Sequence, residues 1–260
     1  MQPVDFETLH LTQAGRIAHV QLNRPERHNA LNRQMLEDLD AVCARLERAQ
    51  EVRAVIISGR GKSFAAGADV TELQRMSVDE IDRQWASGCA VYERIQALPQ
   101  AVIAAIHGYA LGGGLLIALS ADVLIAARDA KLGFPEIKLG FFPGNAGTIL
   151  IEHLAGPVVA RAMCITGDLM DAERCLALGL LHALHAPQDL LTEAHNLAER
   201  LASYRPAAVT LTKQVLSGCV RENYDASKRR ERDLYRMLFE SPDGKAGLDA
   251  FLARRTARTQ

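Results

Sequence analysis

Short runs of consecutive apolar residues alternate along the first half of the chain with stretches in which apolar positions recur every three or four residues. That is the pattern of strands interleaved with helices. Ile17-Ala-His-Val-Gln-Leu22 predicts a strand, and the polar Asn23-Arg-Pro-Glu-Arg-His-Asn29 predicts a turn leading away from it. Leu36, Leu39, Val42, Cys43 and Leu46 then recur at helical spacing as far as Ala49, with Asn29 or Asn32 available as N-cap. The runs 54–58, 101–106 and 123–126 predict three more buried strands, and the triple glycine Gly112–Gly114 predicts a turn that opens a helix before the last of them. Beyond about Pro157 the periods become helical. Residues 187–202, 206–218 and 222–239 predict amphipathic helices, each opened by a proline or an acid, with a short strand near 181–184.

Composition narrows the class further. The 260 residues are 48% hydrophobic and 23% charged, enough apolar material for a real core. A formal net charge of -1 gives no bulk field towards nucleic acid or an anionic membrane, so a polyanionic ligand must be held locally. The five cysteines, Cys43, Cys89, Cys164, Cys175 and Cys219, are scattered with no C-x-x-C pair, which fits a reducing compartment. The first residues carry acids and no apolar h-region, and the apolar stretch 111–127 is broken by Ser120 and Asp122. The expectation is a cytoplasmic protein with no membrane segment and no nucleic-acid partner.

Two glycine-punctuated segments, Phe64-Ala-Ala-Gly-Ala-Asp69 and Gly108-Tyr-Ala-Leu-Gly-Gly-Gly114, follow apolar strands. Neither has a P-loop ending or the dinucleotide glycine spacing. Small-residue turns at a helix N-terminus aim backbone N–H groups outward, where they stabilise a developing negative charge, and two such turns can share one oxyanion. Glu136 follows Pro135 between apolar segments, and burial there raises its pKa towards the range of a general base. Other polar groups weigh less. His182 and His185 lack a third ligand at metal spacing, so no metal site is expected. His107 reads as a packed histidine, and Asp69 as a helix cap. Arg229-Arg230-Glu-Arg232 is a short mixed-sign run, more in keeping with a solvated face than with RNA contact.

Taken in order, Leu22-Asn-Arg-Pro-Glu-Arg-His-Asn-Ala-Leu31, Ser63-Phe-Ala-Ala-Gly-Ala-Asp69, Val102-Ile-Ala-Ala-Ile-His-Gly-Tyr-Ala-Leu-Gly-Gly-Gly114 and Phe134-Pro-Glu-Ile-Lys-Leu-Gly140 resemble the crotonase family, also called enoyl-CoA hydratase/isomerase. The resemblance covers nearly the whole chain. It implies an α/β fold, a spiral of ββα repeats over residues 1–195, with a C-terminal helical oligomerisation region over 196–260 that packs homotrimers, often paired into hexamers. It implies an acyl-CoA substrate and no cofactor beyond the coenzyme A that the substrate carries. By position, the oxyanion amides are those of Ala68 and Gly113, and the catalytic carboxylate is Glu136. Arg24, Arg27 and Ala66 resemble the part that holds the nucleotide end of CoA, joined by Gly144. Tyr235 and Arg254 match positions through which a neighbouring subunit's C-terminal region completes that site.

One departure carries most of the information. The family's hydratases place a second glutamate two residues after the triple glycine, and here that residue is Leu116. Syn addition of water needs a water held between two carboxylates, and a leucine neither orients a water nor accepts a proton. A 1,3-proton shift needs one carboxylate, as in the family's Δ3,Δ2-enoyl-CoA isomerases, and decarboxylation of a carboxyacyl thioester also proceeds with a single glutamate. Ile149-Leu150 replace a usual polar pair, and Leu116, Phe141 and Asn145 are candidates for a reshaped acyl pocket. The sequence therefore predicts an isomerase, with a lyase, an atypical hydratase or a catalytically silent thioester-binding scaffold as rivals.

Overall fold

Gly15, at φ +57, turns the chain between β2 (Leu9–Ala14) and β3 (Ile17–Leu22), which pair antiparallel, and β1 (Val4–Asp5) extends the same edge. The computed structural model describes residues 4–218, 228–229, 232–233, 235–237 and 239–257. From β3 onward the main sheet is parallel: β3 pairs with β4 (Ala54–Gly59), β4 with β5 (Ala101–Ile106), β5 with β7 (Val123–Ala127) and β7 with β10 (Ala183–His185). β4 and β5 are buried at every residue, as parallel strands covered on both faces must be. Their all-apolar sequences follow from that double burial.

A second, smaller sheet lies beside the first. β6 (Tyr109–Leu111) pairs in parallel with β8 (Lys131–Gly133), which pairs with β9 (Met170–Asp171). Ala65, in the loop after β4, bridges Ala110 in the same direction and adds a rung. Each turn of the chain is thus a long strand, a short strand in the second layer and a helix, shown completely by β5, β6 and the helix α4 (Gly113–Leu119). This is the ββα spiral that the resemblance implies.

The remaining helices are α1 (Arg33–Arg48), α2 (Val70–Leu73), α3 (Val78–Ala97), α5 (Gly147–Thr166), α6 (Ala172–Ala177), α7 (Leu190–Ala202), α8 (Pro206–Gly218) and α9 (Pro242–Ala257). Of the two candidate caps for α1, Asn32 does the capping: its side chain accepts from the Met35 amide at 3.0 Å. Asn29 has a different task. Fully buried at φ +54, it accepts from the Arg24 amide and donates to the carbonyls of Arg60, Ser63 and Phe64, stapling the 24–31 turn to the loop after β4.

α1, α3 and α4 close one face of the sheet over Met35, Leu39, Val55 and Ile57, where a large-to-small change costs about 2–5 kcal/mol. α7 covers the opposite face through Leu190, Ala194, Ala198 and Ala202, four residues apart, against Ile56, Ile103 and Ile125. A division at 195/196 falls inside this helix, whose buried residues on both sides of it belong to one cluster. Of the predicted helix over 222–239, the described residues from 228 onward are helical; 219–227, 230, 231, 234 and 238, and with them Cys219, Arg230 and Glu231, lie outside the described residues.

α5 is the one helix among the described residues that is long and apolar enough to cross a membrane, with a mean hydropathy of 1.4. It is interrupted by Gly156 at φ +79 followed by Pro157, and it carries Glu152 and Arg161. Its Leu154, Val158 and Ile165 are exposed, Val158 by 77%.

Candidate active site

Where the turns of the spiral meet the C-terminal helices, a cavity of about 580 Å³ opens. Its floor is built by backbone. Ala66, Gly67 and Ala68 come from the loop after β4, and Gly112 and Gly113 from the turn into α4. The surrounding amides are engaged: Ala65 donates to Tyr109, Ala66 to His28, Asp69 to Leu31, Leu111 to Ala65 and Gly112 to Gly133. Among the described residues the amide of Ala68 reaches no protein acceptor, and Gly113, first residue of α4, has no intrahelical one. With Gly67, whose amide likewise has no acceptor among the described residues, three unengaged N–H groups belong to the lining of one cavity, that of Gly113 reinforced by the helix dipole.

Glycine is required at the turn for two distinct reasons. Gly112 sits at φ +50, and a Cβ there would collide with Glu136 Oε1. Gly113 has an ordinary φ, but a Cβ would come within 3.0 Å of the Tyr92 hydroxyl and 3.4 Å of Leu31 Cδ2.

Glu136 projects into this space from the single-turn 3-10 helix Pro135–Leu139, which the proline starts and Gly140, at φ +82, ends. Its Oε2 is buried with no protein partner among the described residues. Loss of solvent pushes the Glu136 pKa up to about 7, opposed by a hydrogen bond from its own amide. A carboxyl group poised there can both take and return a proton near neutral pH. Among the described residues Glu136 is the sole carboxylate in the cavity wall.

Much of the remaining lining is apolar. Leu116 and Phe141, both nearly fully buried, line the cavity together with Leu73 and Ile81. Asn145, at φ +53, also lines it, but its Nδ2 donates to the Trp85 carbonyl at 2.8 Å, and Gly88 leaves the room for that contact. Asn145 thus ties its loop to α3. Gly144 packs beneath the Tyr235 ring, which contacts Phe141 and Phe142 at centroid distances of 5.5 Å.

Ten of the sequence candidates converge on this one cavity: Ala66, Ala68, Gly113, Leu116, Glu136, Phe141, Gly144, Asn145, Tyr235 and Arg254. Tyr235 and Arg254 line the cavity of their own chain, where the resemblance implies a neighbouring subunit's site. Intrachain contacts hold them there: Phe239 and Leu248 pack with Phe141 and Ile81, Arg236 pairs with Asp82 at 2.9 Å, and Asp249 accepts from Gln74.

Arg24 and Arg27 are not in the lining. The Arg24 guanidinium is engaged by Asp69 at 3.0 Å and by the Ala30 carbonyl, so it clamps the two loops together, while Arg27 is exposed. Asp69 also caps α2, accepting from the Thr71 amide. His107 bonds the Gly61 carbonyl outside the cavity, and burial lowers its pKa.

Of the lining residues that the sequence reading missed, several lie on α3. Trp85 and Tyr92 both line the cavity, and the Trp85 indole N–H is buried without a partner among the described residues. The signal was present. Ser77-Val-Asp-Glu80 is a capping box, realised in the structure, and Ile81, Trp85, Cys89 and Tyr92 follow at helical spacing.

Backbone amides with no acceptor among the described residues and a glutamate whose Oε2 is buried thus share one cavity of a ββα spiral. Comparison with known proteins gives the family. The sequence profile of the enoyl-CoA hydratase/isomerase family matches residues 12–259. The chain is 35% identical to the short-chain-enoyl-CoA hydratase of Clostridium acetobutylicum and 37% identical to the crotonyl-CoA hydratase of Syntrophomonas wolfei, covering 97% of both chains in each case. Its fold matches the crystal structure of an enoyl-CoA hydratase/isomerase from Xanthobacter autotrophicus Py2 with a TM-score of 0.88 at 28% identity, over 98% of this chain and 99% of that one. The chain belongs to the enoyl-CoA hydratase/isomerase family.

Proposed function

We propose that the protein is an enoyl-CoA isomerase that moves a double bond from the 3 to the 2 position of an acyl-CoA thioester. The observation that carries this reading is the single carboxylate: among the described residues that line the cavity Glu136 is the one acid, and Leu116 and Phe141 of the same lining are apolar. In the ionised form it removes a proton from C2. The electron pair of that C–H bond passes into an enolate, whose oxygen is held by the Ala68 and Gly113 amides. Glu136 then returns the proton to C4: the C3–C4 π pair forms the new C4–H bond, the enolate's C1–C2 pair moves to C2–C3 and the thioester carbonyl re-forms, so the step balances without a second reactant. Removing one such oxyanion donor typically costs about 3 kcal/mol of transition-state stabilisation.

The mouth of the cavity fits the rest of the substrate. Lys138 and Arg254 are exposed there and supply positive charge for the phosphates of CoA, with Tyr235 and Gly144 beside them. The Ala66 amide is taken by His28, so Ala66 meets the adenine through its carbonyl. We further propose that copies of the chain associate as trimers, singly or in pairs, through the exposed apolar residues Leu154, Val158 and Ile165 of α5. Hydration is the second reading, favoured by the names of the Clostridium and Syntrophomonas relatives. Against it, Leu116 lines the cavity where a second acid is needed to hold water.

The test is a panel of 3-enoyl-, 2-enoyl- and carboxyacyl-CoA thioesters, followed by mass spectrometry and ultraviolet absorbance. Conversion of 3-enoyl to conjugated 2-enoyl product at constant mass, lost in Glu136→Gln, is expected. Gain of water transfers the assignment to a hydratase, loss of carbon dioxide to a decarboxylase, and silence across the panel to a binding protein.

A further inference from the structure

Tyr92 enters the site from α3 and Glu136 from its own turn. Its hydroxyl lies 3.0 Å from the position that a Cβ on Gly113 would occupy. That position and the Gly113 amide nitrogen share one Cα, so hydroxyl and amide are within about two hydrogen-bond lengths of each other. At that separation one acceptor can take both donors.

The location has a second meaning. Side chains on a helix lean towards its N-terminus, so the residue at 116 covers the turn at 112–113. Leu116 brings no polar side chain to that turn, and the Tyr92 hydroxyl approaches Gly113 from a different helix. Burial raises the phenol's pKa, and the nearby Cys89 and Glu136 raise it further, so the group stays protonated. It can donate a hydrogen bond, but it is a poor base.

We propose that Tyr92 is a catalytic residue, a third hydrogen-bond donor to the thioester oxygen alongside the amides of Ala68 and Gly113. The phenol keeps its proton throughout, and Glu136 carries the one that moves. This rests on reading the cavity as a thioester-enolate site, but not on the direction or product of the reaction.

The experiment separates those two dependencies. The infrared carbonyl stretch of a carbonyl-labelled 2-enoyl-CoA, bound to the full-length protein, reports polarisation of the thioester without turnover. Binding to wild type is expected to lower the frequency, Glu136→Gln to leave that shift in place, and Tyr92→Phe to shrink it. In parallel, Tyr92→Phe is expected to lower kcat by about 10- to 100-fold, with KM changed less than about threefold. Should Tyr92→Phe fail to fold, 3-fluorotyrosine at position 92 keeps the test open, since a more acidic phenol enlarges the frequency shift. An unchanged shift in Tyr92→Phe, or a raised KM with unchanged shift and kcat, overturns the proposal and makes Tyr92 a packing residue. If 3-enoyl-CoA proves inert but the shift depends on Tyr92, the isomerase reading fails and the donor stands. If wild type shows no carbonyl shift, both fall.

Discussion

Glu136→Gln should make the protein inactive and, above neutral pH, more stable. In the unfolded chain the carboxyl releases its proton near the ordinary value of 4.5, whereas in the folded protein burial holds the proton until about pH 7. The folded state therefore binds more protons between those values, and stability falls as pH rises from about 4.5 through about 7, then levels off. A displacement of about 2.5 pH units, at about 1.4 kcal/mol each, places the full cost near 3 kcal/mol at pH 8 and above. Glutamine removes the titration. The variant should exceed wild type by about 3 kcal/mol at pH 8 and by less than about 0.5 kcal/mol at pH 4.5, apart from a constant offset of about 1 kcal/mol for the new amide donors. Urea unfolding of both proteins at the two pH values, at one protein concentration, measures the difference. The constant offset cancels between them. A stability gain that is the same at both pH values refutes the burial argument. In the same framework, wild-type kcat/KM should rise with pH through about 7, because the base acts as the carboxylate.

Two further substitutions test parts of the framework. Asn29→Ala leaves the Arg24 amide and the Ser63 and Phe64 carbonyls without their side-chain partner and puts alanine at φ +54, so it should cost about 3 kcal/mol or more in urea unfolding. A loss below about 1 kcal/mol would show that water replaces the staple. Leu116→Glu restores a second carboxylate one helical turn from Gly112 and should bring measurable 2-enoyl-CoA hydration, at least about 10-fold above wild type, since a positioned acid or base contributes about 10²–10⁴-fold. Continued silence would mean that Leu116 is not what withholds hydration.

The apolar strands were legible because β4 and β5 are buried on both faces and β3 on one: β3 and β5 match the predicted spans residue for residue, and β4 and β7 run one residue further. β2 was overlooked because His10, Thr12 and Gln13 dilute its apolar pattern on an edge hairpin. The second layer was invisible for a different reason. β6, β8 and β9 are two or three residues long, too short for a period to register, and are held by neighbours distant in sequence. At the site, the glycine segments and Glu136 could be read from local chemistry. Tyr92 could not be read that way, because what distinguishes it is a contact with Gly113, from α4, and no spacing within α3 reports it. The Arg24 pairing with Asp69 likewise joins residues 45 apart, so a cation expected at a ligand is found bridging two loops.

The floor of the cavity has amides of two kinds. Those of Ala65, Ala66, Leu111 and Gly112 are locked to carbonyls, while those of Ala68 and Gly113, residues of the cavity lining, have no carbonyl partner among the described residues. Exchange with deuterium should sort them on the clock: the locked set waits for the sheet to open, whereas the two cavity amides trade hydrogen at the rate at which water visits. An acyl thioester seated between them would slow that pair and leave their neighbours nearly unchanged. The floor would thus carry an isotopic outline of its ligand that can be recorded without any reaction taking place.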